Sequence, residues 1–105
     1  MSGISTHVLN TATGRPAAGV TVHLFHSDEE IAKGITDSDG RCSALLPRNE
    51  PLLLGVYRIV FEIGSKFPDG FYPEISISFQ VRESSAHYHV PLLVSPFGYT
   101  TYRGS

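Results

Sequence analysis

Residues 74–82 read Glu-Ile-Ser-Ile-Ser-Phe-Gln-Val-Arg, and the alternation predicts a strand. Side chains alternate across a pleated strand with period two, so Ile75, Ile77, Phe79 and Val81 share one face. Glu74, Ser76, Ser78 and Gln80 take the other. Such a strand buries one side against a core and shows the other to water.

Working outward, the same pattern recurs over 56–63, where Tyr57, Ile59, Phe61 and Ile63 alternate with Val56, Arg58, Val60 and Glu62. It recurs again where Val20, Val22 and Leu24 alternate with Thr21, His23 and Phe25. Weaker strand candidates lie at 4–10, 31–36, 87–94 and 98–103. Turn chemistry separates them: Thr13-Gly14-Arg15-Pro16, Asp37-Ser38-Asp39-Gly40, Pro68-Asp69-Gly70 and Ser95-Pro96-Phe97-Gly98. The stretch Ser27-Asp28-Glu29-Glu30-Ile31-Ala32-Lys33 allows one helical turn under a serine cap, which Gly34 stops. About seven short strands with regular turns predict an all-β antiparallel sandwich. A length of 105 residues gives one domain with one core, so residues 1–105 are taken as a single domain.

Eight Lys and Arg against ten Asp and Glu give a net charge of −2, with no basic stripe. Nucleic-acid binding is therefore not expected, because it rests on basic groups that displace counterions from phosphates. No apolar run approaches the roughly 20 residues that span a bilayer, so no membrane partner is expected either. The N-terminal residues carry no basic and apolar leader pattern, which makes a cytoplasmic location the expectation. The single cysteine, Cys42, rules out an intrachain disulfide, suits a reducing compartment and reads as a packed thiol.

Five histidines concentrate the chemistry. His87 and His89 share one strand face, while Tyr88, Val90 and Leu92 point the other way. If the latter set fills the core, both imidazoles project from the outer face. On pattern alone a His-x-His pair is most often a solvated polar face. It could also supply two zinc ligands, but no acidic or thiolate partner stands near it in sequence. His23 and His26, three apart, fall on opposite faces and read as surface residues.

The run His87-Tyr88-His89-Val90-Pro91-Leu92-Leu93-Val94-Ser95-Pro96-Phe97-Gly98-Tyr99-Thr100-Thr101-Tyr102-Arg103-Gly104-Ser105 carries two histidines, three tyrosines and an arginine to the last residue. It resembles the signature of the 5-hydroxyisourate hydrolases of the transthyretin-like family, which end in Tyr-Arg-Gly-Ser after a His-Val-Pro-Leu-Leu strand. Thr6-His7-Val8-Leu9-Asn10-Thr11, followed by Gly14, Pro16 and Ala17, is similar to that family's N-terminal block. Asp39-Gly40-Arg41-Cys42 is similar to its central Gly-Arg block. Asn10 stands where the family usually has Asp, and Thr100 where it commonly has Ser.

The resemblance implies a sandwich of two four-stranded antiparallel sheets with at most one short helix near 65–71, a stretch where Pro68, Asp69 and Gly70 favour a turn. It implies hydrolysis of 5-hydroxyisourate in urate breakdown by metal-independent acid–base catalysis. The family's catalytic positions fall on His7, Arg41, His89 and Ser105, with Tyr102 and Arg103 beside them for substrate binding. No metal and no organic cofactor is implied, and the expected assembly is a homotetramer. The alternative is a transthyretin-like carrier of a small ligand with no catalytic activity.

Overall fold

The computed structural model describes residues 3–46 and 51–105. Nine strands are present among them: β1 (Gly3–Asn10), β2 (Arg15–Pro16), β3 (Thr21–His26), β4 (Glu29–Ile35), β5 (Arg41–Leu46), β6 (Gly55–Glu62), β7 (Glu74–Val81), β8 (His87–Ser95) and β9 (Gly98–Thr101). They form two sheets. One has the order β4-β3-β6-β7 and is antiparallel throughout. The other runs β2-β1-β8-β9, with β5 also paired to β1.

The alternating strands bury the predicted faces. Tyr57, Ile59, Phe61, Ile75, Ile77, Val81, Val22 and Leu24 meet Ile4, Val8, Tyr88, Val90, Leu92 and Val94 in the core. Each fully buried side chain of this kind contributes roughly 1.5–3 kcal/mol, so the sandwich is held chiefly by this layer. Phe79 is only half-buried and packs against it from the side.

Two local features differ from the sequence reading. First, β1 pairs with β8 in parallel, Ser5 opposite His89, so the antiparallel expectation fails for this one pair. Counting the two-residue β2 and the unanticipated β5, the β1 sheet has five strands and not four. Second, the helical turn allowed at 27–33 does not form. Ser27 and Asp28 have φ of 51° and 64°, and they turn β3 directly into β4. Two central residues with positive φ match the right-handed twist of a tight hairpin, which outweighs the serine cap. No helix is present among the described residues, which agrees with the expectation of at most one short one. Around residues 63–70 two successive turns form: Phe67 N–H donates to the Ile63 carbonyl and Gly70 N–H to that of Phe67. No helix of the described residues is long and apolar enough to cross a membrane.

Candidate active site

The outer face of the β1 sheet brings the distant sequence blocks together. On β1, Ile4, Thr6 and Val8 point into the core, so Ser5 and His7 point outward. On β8, Tyr88 and Val90 are buried and His87 and His89 take the outer face, as the period-two reading expects. Register then does the rest. His7 stands opposite Arg41 on β5, and Ser5 stands opposite His89 on β8.

Arg41 is placed by the turn before it. The Asp37 carboxylate accepts hydrogen bonds from the backbone N–H groups of Asp39 and Arg41, at 2.9 and 3.0 Å. Gly40 closes the turn with φ of 73°, and any Cβ there would overlap the Val8 carbonyl oxygen. The same turn orients His7, whose Nε2–H donates to the Asp39 carbonyl at 2.9 Å. Because a carbonyl only accepts, this bond puts the ring proton of neutral His7 on Nε2 and leaves the lone pair on Nδ1.

His89 is the most perturbed of these groups. Its pKa is pushed below the ordinary imidazole value, first by burial and then by the charges of Arg41, His7 and His87. Burial and the neighbouring positive charges thus favour the neutral ring, the form that accepts a proton. Ser5 Oγ lies 2.8 Å from both His89 Nδ1 and His87 Nε2. On its other side the ring meets Gly104, which pairs with it as an isolated bridge and donates its N–H to the His89 carbonyl at 2.8 Å.

These groups surround an open, largely polar pocket of about 170 Å³ lined by Ser5, Thr6, Arg41, Ser43, His87, His89 and Ser105. Of the residues singled out in the sequence, Arg41, His89 and Ser105 line it, and His7 adjoins it through its pairing with Arg41. Tyr102 and Arg103 are not brought into it. They line a second cavity with Tyr88, Val90 and Phe79, where the Arg103 guanidinium lies 4.6 Å over the Tyr88 ring. Ser5 and Ser43 were not legible as site residues, although Ser5 is two residues before His7 on the same strand face.

The remaining histidines lie elsewhere. His23 bonds Glu30 at 3.1 Å and Glu62 on the four-stranded sheet, and His26 Nε2–H donates to the Leu54 carbonyl at 3.0 Å. Cys42 is half-buried on β5, and burial together with Asp37 raises its pKa, so it stays a thiol near neutrality. Among the described residues no group of three or more His, Cys, Asp or Glu converges as a metal ligand set. His87 and His89 both aim a ring nitrogen at the Ser5 hydroxyl.

The profile of the HIUase/Transthyretin family matches residues 4–104. A 5-hydroxyisourate hydrolase of Caulobacter vibrioides is 45% identical to this chain over 117 residues, covering all of both proteins. The structure of Klebsiella pneumoniae 5-hydroxyisourate hydrolase superposes with a TM-score of 0.87 at 36% identity, covering 97% of this chain and 98% of that one. Sea bream transthyretin in complex with thyroxine superposes with a TM-score of 0.83 at 28% identity, over 96% and 93% of the two chains. By sequence over nearly its whole length and by the architecture of both sheets, the chain belongs to the HIUase/Transthyretin family.

Proposed function

We propose that this chain, residues 1–105 acting as one domain, hydrolyses 5-hydroxyisourate to 2-oxo-4-hydroxy-4-carboxy-5-ureidoimidazoline in urate degradation. The observation that carries the proposal is that the His89 imidazole and the Arg41 side chain line one small polar pocket together with Ser105. Acyl hydrolysis needs a base for water and a fixed positive charge where the oxyanion develops. His89 takes a proton from water as the hydroxide oxygen bonds to the ring acyl carbon. The C–N bond then breaks, and a proton passes to the departing ring nitrogen. His7, with Nδ1 unengaged by the Asp39 carbonyl, is the second acid–base group.

Arg41 grips the flat, polar substrate through its planar fork of donors, which a lysine does not reproduce. Ser105 supplies a further hydrogen-bonding group on the pocket wall. Within one protomer, Tyr102 and Arg103 act by pinning the segment that carries Gly104 and Ser105, through the Arg103–Tyr88 stack. The substrate is already an activated acyl compound, so the proposed reaction draws on no metal or organic cofactor.

We propose further that the chain works as a homotetramer in the cytoplasm, with the outer face of the β1 sheet turned toward a space between subunits. Exposed Tyr99 and Tyr102, 43% and 56% accessible, support an assembly that covers them. Sedimentation equilibrium reads the subunit number directly, and a monomer at micromolar concentration would contradict this assembly.

The likeness to a thyroxine-bound transthyretin favours one other reading, a small-ligand carrier. Freshly prepared 5-hydroxyisourate separates the two. The hydrolase accelerates decay of its absorbance and the His89→Ala variant does not, whereas a carrier leaves the spontaneous rate unchanged.

A further inference from the structure

We infer that Ser5 and His87 form a hydroxyl-bridged proton relay behind His89 that fixes its tautomer, making both of them positioning residues for the base of the proposed hydrolysis. The inference rests on that reading of the pocket. Its structural basis is the pair of equal 2.8 Å contacts from Ser5 Oγ, one to His89 Nδ1 and one to His87 Nε2.

A serine hydroxyl has one proton to give and lone pairs to receive. It cannot donate to both rings at once, so at most one ring accepts from it and at least one donates to it. The protonation patterns of the two rings are therefore coupled. In one arrangement Ser5 donates to His89 Nδ1, which ties up the lone pair of His89 and leaves a proton on Nε2. In the other, His89 Nδ1–H donates to Ser5, and Ser5 donates to His87 Nε2. The first leaves no lone pair on His89 Nε2, whereas the second leaves Nε2 able to take a proton from water and also opens a path to His87.

Geometry makes this bridge rigid. Ser5 is 5% exposed, and its strand is paired on both sides, to β5 and to β8. The parallel register that sets Ser5 opposite His89 sets Gly3 opposite His87.

The bridge also gives charge a path. After His89 Nε2 takes a proton, its Nδ1–H bond can break as a Ser5 O–H bond forms. The original Ser5 O–H bond breaks as His87 Nε2–H forms, and the positive charge ends on His87. The groups facing His89 are Arg41 from β5, His7 from β1 and His87 from its own strand, and all three oppose a charge on it. On β1, His87 stands opposite Gly3 and His89 opposite Ser5, so His87 is two register positions farther than His89 from His7, the partner of Arg41.

The test uses the full chain with ¹⁵N-labelled histidine. In the unsubstituted protein, imidazole nitrogen shifts at neutral pH should report His89 protonated on Nδ1. Ser5→Ala should mix the two His89 tautomers and lower kcat by about tenfold to a hundredfold with little change in KM, moving the acid limb of the pH profile to lower pH. Ser5→Thr keeps the hydroxyl and should retain the tautomer. His87→Phe, which keeps a ring without nitrogens, should reproduce the Ser5→Ala spectrum. An unchanged His89 tautomer and pH profile in both Ser5→Ala and His87→Phe would overturn the relay, as would an Nε2-protonated His89 in the unsubstituted protein. If the unsubstituted protein fails to open 5-hydroxyisourate, the hydrolase reading falls, while the tautomer measurement still decides the relay by itself.

Discussion

Gly104 lies against the His89 imidazole with no room for a side chain between them: a Cβ at residue 104 would sit 2.5 Å from His89 Cδ2 and 3.2 Å from Cγ. The closest atoms belong to the ring, so an added methyl displaces the imidazole itself. Gly104→Ala should therefore lower kcat/KM by about tenfold to a hundredfold, the cost of misplacing a catalytic group by a fraction of an ångström to an ångström. Tm should move little, because the residue lies at the edge of the sheet. A ring-opening assay beside a melting curve checks both, and an active Gly104→Ala protein would mean that the ring position is not critical.

Arg41→Lys should lower kcat/KM by about two orders of magnitude or more while the fold persists. The charge survives this change but the planar fork of donors does not. Steady-state kinetics with a circular dichroism control checks it. Near-normal turnover would show that a point charge suffices at this position.

The depressed pKa of His89 gives two pH effects of defined sign. Titrated by NMR, His89 should have its midpoint below the ordinary value near 6.5, and Arg41→Gln should move it upward by removing an opposing charge. Stability follows by linkage. Between the folded and unfolded midpoints the unfolded chain binds more protons at this residue, so its contribution to stability rises with pH and is lost on acidification through that window. His89→Gln should flatten that part of the pH dependence, read as urea midpoints between pH 5 and 8.

Gly34 and Cys42 should behave as a coupled pair. A Cβ on Gly34 would come within 2.6 Å of Cys42 Sγ where β4 meets β5. Gly34→Ala alone should destabilise the protein, and Cys42→Ala should relieve much of that loss, because the swap moves one heavy atom across the contact. A double-mutant cycle in urea measures the coupling. Strict additivity would show that the two residues do not meet.

The sequence made some of this site readable and hid the rest for identifiable reasons. Period two alone sets His87 and His89 on the face opposite Tyr88 and Val90, and the structure keeps that division. Likewise Ile75, Ile77 and Val81 are buried as their alternation requires. β5 escaped notice because Arg-Cys-Ser-Ala-Leu-Leu does not alternate; pairing with β1 makes it a strand, which no local pattern reports. The hairpin at Ser27-Asp28 competed with a serine cap that looked equally good locally. Ser5 drew no attention because its chemistry arises only once a strand 84 residues away is laid beside it in parallel. The resemblance sets Tyr102 and Arg103 beside Ser105 for substrate binding, and within one protomer the Arg103 guanidinium lies over the Tyr88 ring.

The parallel pairing of β1 with β8 has a bearing on how the protein is made. During synthesis β1 leaves the ribosome early and finds β5 within about forty residues, yet its other edge waits for β8. Contacts spanning most of the chain are slow to close, because loop entropy is lost before pairing repays it. Until then the outward face of β1 carries Ser5 and His7 with no imidazole opposite. Catalytic competence should consequently appear late, in step with docking of residues 87–104 and not with collapse of the opposite sheet.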